Sequence, residues 1–202
     1  MVEPRLCKPS FRLYGYAALS AWIKASENVI MPESVSGGAG WMNIEQVREY
    51  LREQGYLDRL YEFDQSTATV ELAAEALGTD PDQIAKTLSF YGKTGGAILI
   101  VAAGKRRIDN RKFKEQFGLK AKMLSPEDTE RLTANAAGGV CPFLVPQEAE
   151  VWLDISLRDH EIVYPAAGSS HSGVRLTCDE LEKLARPSGW CDVCKEPAQN
   201  PD

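Results

Sequence analysis

A regular helical period begins directly after a glycine-rich run at residues 34–40. Apolar side chains recur there every three to four residues, charged side chains take the other face, and Gly55 follows as a helix end. The apolar positions are Ile44, Val47, Tyr50 and Leu51. This pattern predicts an amphipathic helix that starts at about residue 43.

Further helices are predicted wherever a capping side chain precedes an apolar helical period. Such a side chain accepts a hydrogen bond from a backbone N–H that the first turn leaves free. The candidate caps are Thr67 or Thr69, Asp80, Asp109, Ser125 and Thr177. Gly78 and Gly118 are suited to end two of these helices, because glycine readily adopts the left-handed conformation.

Strand-type runs of apolar and β-branched residues alternate with these helices. Two of them, around Leu88–Phe90 and at residues 97–101, flank a glycine turn at residues 92–96, and three more occur at residues 151–155, 162–164 and 174–176. Neighbouring strands without strict β-α-β alternation favour a mixed or antiparallel sheet. The predicted fold class is therefore α+β, with helices flanking a mixed sheet.

The chain divides into three parts by pattern. Residues 1–41 lack a sustained period, residues 42–186 hold the predicted helices and strands, and residues 187–202 form a C-terminal tail. The abrupt change at Met42 suggests the hypothesis that translation naturally starts there and that residues 1–41 are a disordered or read-through extension. Mass spectrometry of the native protein tests it, and an N-terminus at Val2 would refute it.

Charge and cysteine content restrict the function classes. The net charge of −6 and the pI of about 5.1 argue against a broad nucleic-acid-binding face, although basic residues concentrate between Lys105 and Lys122. That basic stretch is either a local RNA contact or a solvated helix face. Five cysteines without disulfide-type spacing favour the reducing cytoplasm. The apolar stretch from Tyr14 to Ile23 is too short to span a bilayer, so no membrane association is expected.

Lys86 is the charged residue that stands out in an apolar setting, Ile84-Ala85-Lys86-Thr87-Leu88. Because burying an unpaired ammonium is costly, this lysine either extends to water or faces a polar pocket. Both interpretations remain open from the residues alone.

Two loops could form pocket walls. The run from Ala136 to Phe143 contains Gly138-Gly139 and Cys141-Pro142; its backbone amides could bind an oxygen that gains charge, or it could be a plain turn. Cys141 could act as a nucleophile only if its thiolate were favoured, and a buried apolar role is the alternative. The polar loop Gly168-Ser169-Ser170-His171 could bind an amino acid or a ribose, or simply join two strands.

Cys191 and Cys194 have the spacing of half a zinc site or of a redox pair. A second ligand pair is missing at a recognisable spacing, so a docked tail with reduced thiols is the alternative interpretation.

Taken in order, five motifs resemble the YbaK/aminoacyl-tRNA editing domain family, which includes freestanding relatives of the prolyl-tRNA synthetase editing insertion. They extend over most of the chain from Met42 to about Leu184 and comprise residues 85–88, 100–104, 138–143, 151–154 and 166–168. Cys141 departs from the pattern, because many relatives have Ser or Thr before this proline.

The resemblance implies a mixed, partly barrel-like sheet and hydrolysis of the ester between a mischarged amino acid and the terminal adenosine of tRNA. It implies catalytic roles for Lys86, Gly138 and Gly139, and no metal or other cofactor. The implied substrate-binding residues are Thr87, Val140, Cys141, Pro142, Asp154, Gly168, Ser169 and His171. The expected partners are the acceptor end of tRNA, with tRNA-Pro as the expected tRNA, and an aminoacyl-tRNA synthetase.

Three functional hypotheses follow. The first is a deacylase that acts on mischarged tRNA, and the second is a module of the same fold that binds aminoacyl-tRNA or an amino acid without turnover. The third is a metal-binding or redox protein that uses Cys191 and Cys194. The amino acid removed and the oligomeric state cannot be read from the sequence.

Overall fold

The structure is a computed structural model that describes residues 43–196. The hypotheses on residues 1–41 and on the end of the C-terminal tail therefore lie outside the described residues. The described helices are α1 Ile44–Gln54, α2 Val70–Leu77, α3 Asn110–Phe117, α4 Pro126–Thr133 and α5 Cys178–Ala185. The strands are β1 Leu60–Glu62, β2 Ile84–Tyr91, β3 Ala97–Ala103, β4 Arg107–Ile108, β5 Ala149–Asp154, β6 Tyr164–Pro165, β7 Ser172–Val174, β8 Gly189–Cys191 and β9 Cys194–Lys195. Short 3₁₀ turns occupy Leu57–Arg59, Pro81–Gln83, Lys93–Gly95 and Ile155–Asp159.

The helix boundaries confirm the capping predictions. Each predicted helix starts after a side chain that accepts a backbone N–H, and left-handed glycines end α1, α2 and α3. The caps of α2 to α5 are Thr69, Asp109, Ser125 and Thr177, and Asn43 caps α1 in a reciprocal pair with Gln46. The helix predicted at Asp80 is a single 3₁₀ turn that leads directly into β2.

A mixed sheet of strand order β6-β2-β3-β5-β8 organises the described residues. β2 and β3 are antiparallel, whereas the other neighbouring strands of this sheet are parallel. β1 pairs with β7 and β4 pairs with β9 in two small ladders. The α+β class with a mixed sheet is confirmed.

Two hydrophobic clusters lie on opposite faces of this sheet. β3 is buried at every position, so its alternating side chains contribute to both clusters. Leu99 and Val101 join the larger cluster with α1 and α5, whereas Ile98 and Ile100 pack with Phe113 and Phe117 of α3. This central strand fixes the position of β2, which is its antiparallel neighbour.

The strands of the last third differ from the prediction in extent. The run at residues 162–164 contributes only its last residue to β6, and Val163 instead makes a single bridge with Leu176. The run at residues 174–176 is replaced by β7, which pairs with β1. The register depends on distant partners, which local apolar patterns do not specify.

The C-terminal tail joins this architecture. β8 extends the main sheet beside β5, and Arg158 stacks 4.0 Å over the Trp190 ring. No helix within residues 43–196 is long and apolar enough to cross a membrane.

Candidate functional site

A cavity of about 480 Å³ opens beside β2. Its floor is formed by β2 residues 84–89, and its walls come from α2, from the start of α4 and from the loops around residues 138 and 165. The lining is mostly apolar. Such a concave, apolar site with a few convergent polar groups is typical of a small-molecule or cofactor pocket.

Lys86 is a half-buried member of this lining. Its Nζ donates hydrogen bonds to the carbonyl oxygens of Gly104 at 2.6 Å and Arg106 at 2.5 Å. An ammonium has three N–H donors, so one remains for a ligand. Burial lowers the pKa of Lys86 below its ordinary 10.5, and the positive charge of Arg107 acts in the same direction while Asp82 opposes it.

The two carbonyls that hold Lys86 belong to the turn after β3. The Asp82 main chain accepts from Gly104 N–H, and the Asp82 carboxylate accepts from Lys105 N–H. A side chain at Gly104 would collide with the carbonyl oxygen of Pro81. The close packing of this turn therefore fixes the position of the ammonium.

The glycine loop follows α4 and contributes Gly138 and Val140 to the same cavity lining. Asn135 is buried and joins the two ends of the loop, because its side chain donates to Thr133 C=O at 2.7 Å and accepts from Cys141 N–H at 3.1 Å. Gly138 lines the cavity at a φ of 87°, a conformation that favours glycine. Gly139 N–H already donates to Ala136 C=O, so this amide is not free to bind an oxyanion.

The sequence profile of the aminoacyl-tRNA editing domain matches residues 64–184, more than half of the chain. The chain belongs to the aminoacyl-tRNA editing domain family. The match includes Lys86 and the glycine loop, and the resemblance found in the sequence motifs is confirmed.

The chain is also similar to several known proteins. The chain is 44% identical over 155 residues to the uncharacterized protein YwhH of Bacillus subtilis, which covers 77% of this chain and 99% of YwhH. It is 26% identical to EbsC of Enterococcus faecalis, provisionally named a Cys-tRNA(Pro)/Cys-tRNA(Cys) deacylase, over 61% of this chain and 77% of EbsC. A solved structure provisionally described as a trans-editing enzyme for prolyl-tRNA synthetase superposes with a TM-score of 0.67 at 31% identity, covering 75% of this chain and 96% of that one.

Four of the predicted site residues share the cavity of the editing domain. Lys86, Thr87, Gly138 and Val140 all contribute to its lining. Thr87 lies beside Lys86 on β2, and its buried Oγ1 has no hydrogen-bond partner among the described residues.

Cys141 and Pro142 lie behind the cavity wall. Cys141 is fully buried in the larger hydrophobic cluster, and burial raises the pKa of its thiol to about 12. A thiol in this environment stays protonated at neutral pH, so the geometry favours the apolar role over the nucleophilic one.

The polar loop after β6 lies next to the cavity, but the predicted residues Gly168, Ser169 and His171 are not part of the cavity lining. Gly168 packs against α1, with Val47 and Asn43 close to where a side chain would project. Ser169 Oγ hydrogen-bonds Ser172 Oγ at 2.8 Å, and His171 is exposed beside Ser170. It is Ala166, Ser172 and Gly173 that this region contributes to the cavity lining.

Asp154 lies away from the cavity and has a different set of partners. Its buried carboxylate accepts from Ser156 N–H at 3.0 Å, Val193 N–H at 2.9 Å and Cys194 N–H at 3.1 Å. It thereby ties the end of β5 to the turn between β8 and β9.

Cys191 and Cys194 are buried in the smaller hydrophobic cluster. Burial raises the pKa of Cys191 to about 12 and also raises that of Cys194. No group of three metal-ligating side chains converges within residues 43–196. This environment matches a docked tail with reduced thiols better than a redox pair.

Sequence reasoning missed the residues that shape the cavity. Val70, Ala73 and Leu77 of α2 line one wall, while Met123 and Leu124 line another. The apolar face of α2 was visible in the sequence, but the same pattern is expected of any helix that packs on a core.

Proposed function

We propose that this editing domain hydrolyses the ester between a mischarged amino acid and the terminal adenosine of tRNA. The observation that carries the proposal is that Lys86 and Gly138 line one largely apolar cavity. Membership of the editing-domain family and the similarity to EbsC, provisionally named a deacylase, support the same chemistry.

The cavity fits an ester better than a free nucleotide. Its apolar walls suit an amino-acid side chain, and at about 480 Å³ it lies within the range of small-molecule sites. Lys86 retains one N–H that can bind the ester carbonyl or the terminal phosphate. Because Gly138 has no side chain, a substrate can come close to its backbone.

Hydrolysis on this surface uses water as the nucleophile. The water oxygen bonds to the ester carbon, the bond from that carbon to the ribose oxygen breaks, and the ribose oxygen takes up a proton. The products are a free amino acid and a tRNA with both terminal hydroxyls. Lys86 stabilises negative charge as it develops on the carbonyl oxygen, which is the interaction that accelerates such reactions.

The proposed substrate is mischarged tRNA-Pro, and the proposed setting is protein synthesis in the cytoplasm. The name of EbsC refers to Cys-tRNA(Pro) as well as Cys-tRNA(Cys), and the description of the solved neighbour refers to prolyl-tRNA synthetase. Prolyl-tRNA synthetase is then the enzyme whose errors the protein corrects.

The test is a deacylation panel. tRNA-Pro and at least one other tRNA are each charged with several small amino acids, and the release of the amino acid is measured with wild type and with Lys86→Ala. We expect wild type to release a restricted set of amino acids, with Lys86→Ala slower by about 10²-fold or more, the loss typical of one charge-stabilising donor.

The non-catalytic alternative predicts a different result. A folded wild-type protein that binds aminoacyl-tRNA but releases no amino acid from any member of the panel would identify a binding module.

A further inference from the structure

Pairing along the outer edge of β2 is interrupted around Thr87. Ahead of it, Ala85 pairs with β6 across from Pro165. Beyond it, Leu124 N–H donates to Ser89 C=O at 2.9 Å and Tyr91 N–H donates to Lys122 C=O at 3.0 Å. Thr87 lies between these pairings, and no strand or loop of the described residues covers the edge there.

The main-chain groups of Thr87 point toward that gap. In an antiparallel pair, alternate residues direct their N–H and C=O to the partner strand. Gly92 N–H bonds Gly96 C=O, and Ala97 N–H bonds Glu148 C=O on the far side of β3. The even-numbered residues of β2 therefore bond β3, and Thr87 turns its N–H and C=O outward.

These groups have no hydrogen-bond partner in the described part of the chain, and neither does the buried Thr87 Oγ1. The cavity occupies the gap, since β2 residues 84–89, Leu124 and residues 164–166 all line it. Unpaired backbone groups at a sheet edge form a template for a further strand.

We propose that the Thr87 main chain binds the aminoacyl group as one residue of an added antiparallel strand. The α-ammonium donates to Thr87 C=O, and Thr87 N–H donates to the ester carbonyl oxygen. In an aminoacyl ester, the α-ammonium and the ester carbonyl lie on either side of one Cα, as the N–H and C=O of a strand residue do. Both groups can therefore hydrogen-bond the same residue, Thr87. The inference rests on the proposed deacylase function and names the atoms that recognise its substrate.

This arrangement has two consequences. Thr87 N–H joins the Lys86 side chain in stabilising the charge that develops on the ester oxygen. Substrates in which hydrogen replaces the α-ammonium have no donor for Thr87 C=O, so des-amino acyl-tRNA is disfavoured.

Proline at position 87 tests the main-chain assignment. It removes the N–H but leaves the bonds to β3, and the extended conformation of Lys86 is the one that a following proline requires. Thr87→Val is the matched control, because it removes only the hydroxyl. Circular dichroism and thermal melting confirm that each variant is folded.

We expect Thr87→Pro to lower the single-turnover rate by about 10²–10³-fold, as for other single oxyanion donors, with tRNA binding retained. Thr87→Val should stay within about tenfold of wild type. Equal losses in the two variants would place recognition in the side chain, and a folded Thr87→Pro of wild-type rate would overturn the proposal.

A second measurement uses only wild type and applies even if Thr87→Pro does not fold. Deacylation of the aminoacyl-tRNA preferred in the panel is compared with that of the same tRNA carrying the des-amino analogue of the amino acid, each rate divided by its spontaneous rate. We expect this acceleration to be about 10- to 100-fold smaller for the des-amino substrate, the value of one hydrogen bond from a charged donor, and equal accelerations would overturn the proposal. An inactive wild type on all unmodified substrates would instead reject the deacylase function itself.

Discussion

Lys86 and Cys141 are the two residues for which the sequence offered a reactive role, and their surroundings give them opposite properties. The Lys86 ammonium is held by two backbone carbonyls, whereas Cys141 is enclosed in the hydrophobic core. A lysine held in this way stabilises negative charge. A buried thiol with a raised pKa supplies no thiolate.

Cys141→Ala is therefore expected to retain deacylation within a few-fold of wild type. Removing the sulfur from the core should cost about 1 kcal/mol of unfolding free energy, comparable with one buried methylene. Enzyme assay and urea denaturation measure the two effects. Loss of activity in a stable Cys141→Ala protein would show that the thiol takes part in the reaction.

At the level of secondary structure, Asp154 connects three elements. Its carboxylate caps the 3₁₀ turn after β5 and accepts two backbone N–H groups of the turn between β8 and β9. The family resemblance implies a substrate-binding role for Asp154. The hydrogen bonds predict a role in holding the C-terminal strands.

Asp154→Asn should lower the unfolding free energy by about 1.5–3 kcal/mol, the value of one hydrogen bond to a charged acceptor. The reason is that the new amide nitrogen faces backbone donors and cannot accept from them. Urea denaturation gives the stability, and deacylation kinetics below the melting transition give KM. Unchanged stability with a selectively raised KM would place Asp154 in the substrate site instead.

Helix ends were the elements best predicted from the sequence. A cap such as Thr69 or Asp109 acts within three residues of its own position, so the local pattern contains the necessary information. Local sequence patterns did not predict the gap beside Thr87. It lies between the end of β6 and the segment at residues 122–124, which both pair with β2. These partners are distant in the chain and their register has no local signal.

At the scale of the described residues, some basic side chains are ion-paired and others are not. Lys105 pairs with Asp80, Arg106 with Asp159, and Lys112 with Asp192. Arg107 and Lys195 are exposed and face each other across the β4–β9 ladder, with no ion pair among residues 43–196. Like charges in that position repel each other, which makes the pair a favourable site for a phosphate group.

The double variant Arg107→Gln/Lys195→Gln should weaken tRNA binding and reduce the slope of log Kd against log salt by about 1–2, since each lost phosphate contact reduces it by roughly one. Hydrolysis of a short 3′-aminoacyl-adenosine should be unaffected. Filter binding across a salt series and an ester assay provide the measurements.

The matched control is Lys105→Gln/Arg131→Gln, which removes the same charge from residues that are ion-paired with Asp80 and Asp128. If the control changes the slope of log Kd against log salt equally, the effect comes from net charge alone. If Arg107→Gln/Lys195→Gln leaves this slope unchanged, the surface does not bind tRNA.

We propose that the cavity beside β2 hydrolyses an aminoacyl ester with the help of Lys86. Single-turnover deacylation with protein in excess over the preferred mischarged tRNA tests this proposal most directly, because saturation separates chemistry from binding. We expect a wild-type rate far above spontaneous hydrolysis and a Lys86→Ala rate close to spontaneous, with the tRNA still bound. A saturated Lys86→Ala protein that hydrolyses the ester at the wild-type rate would refute the role of Lys86.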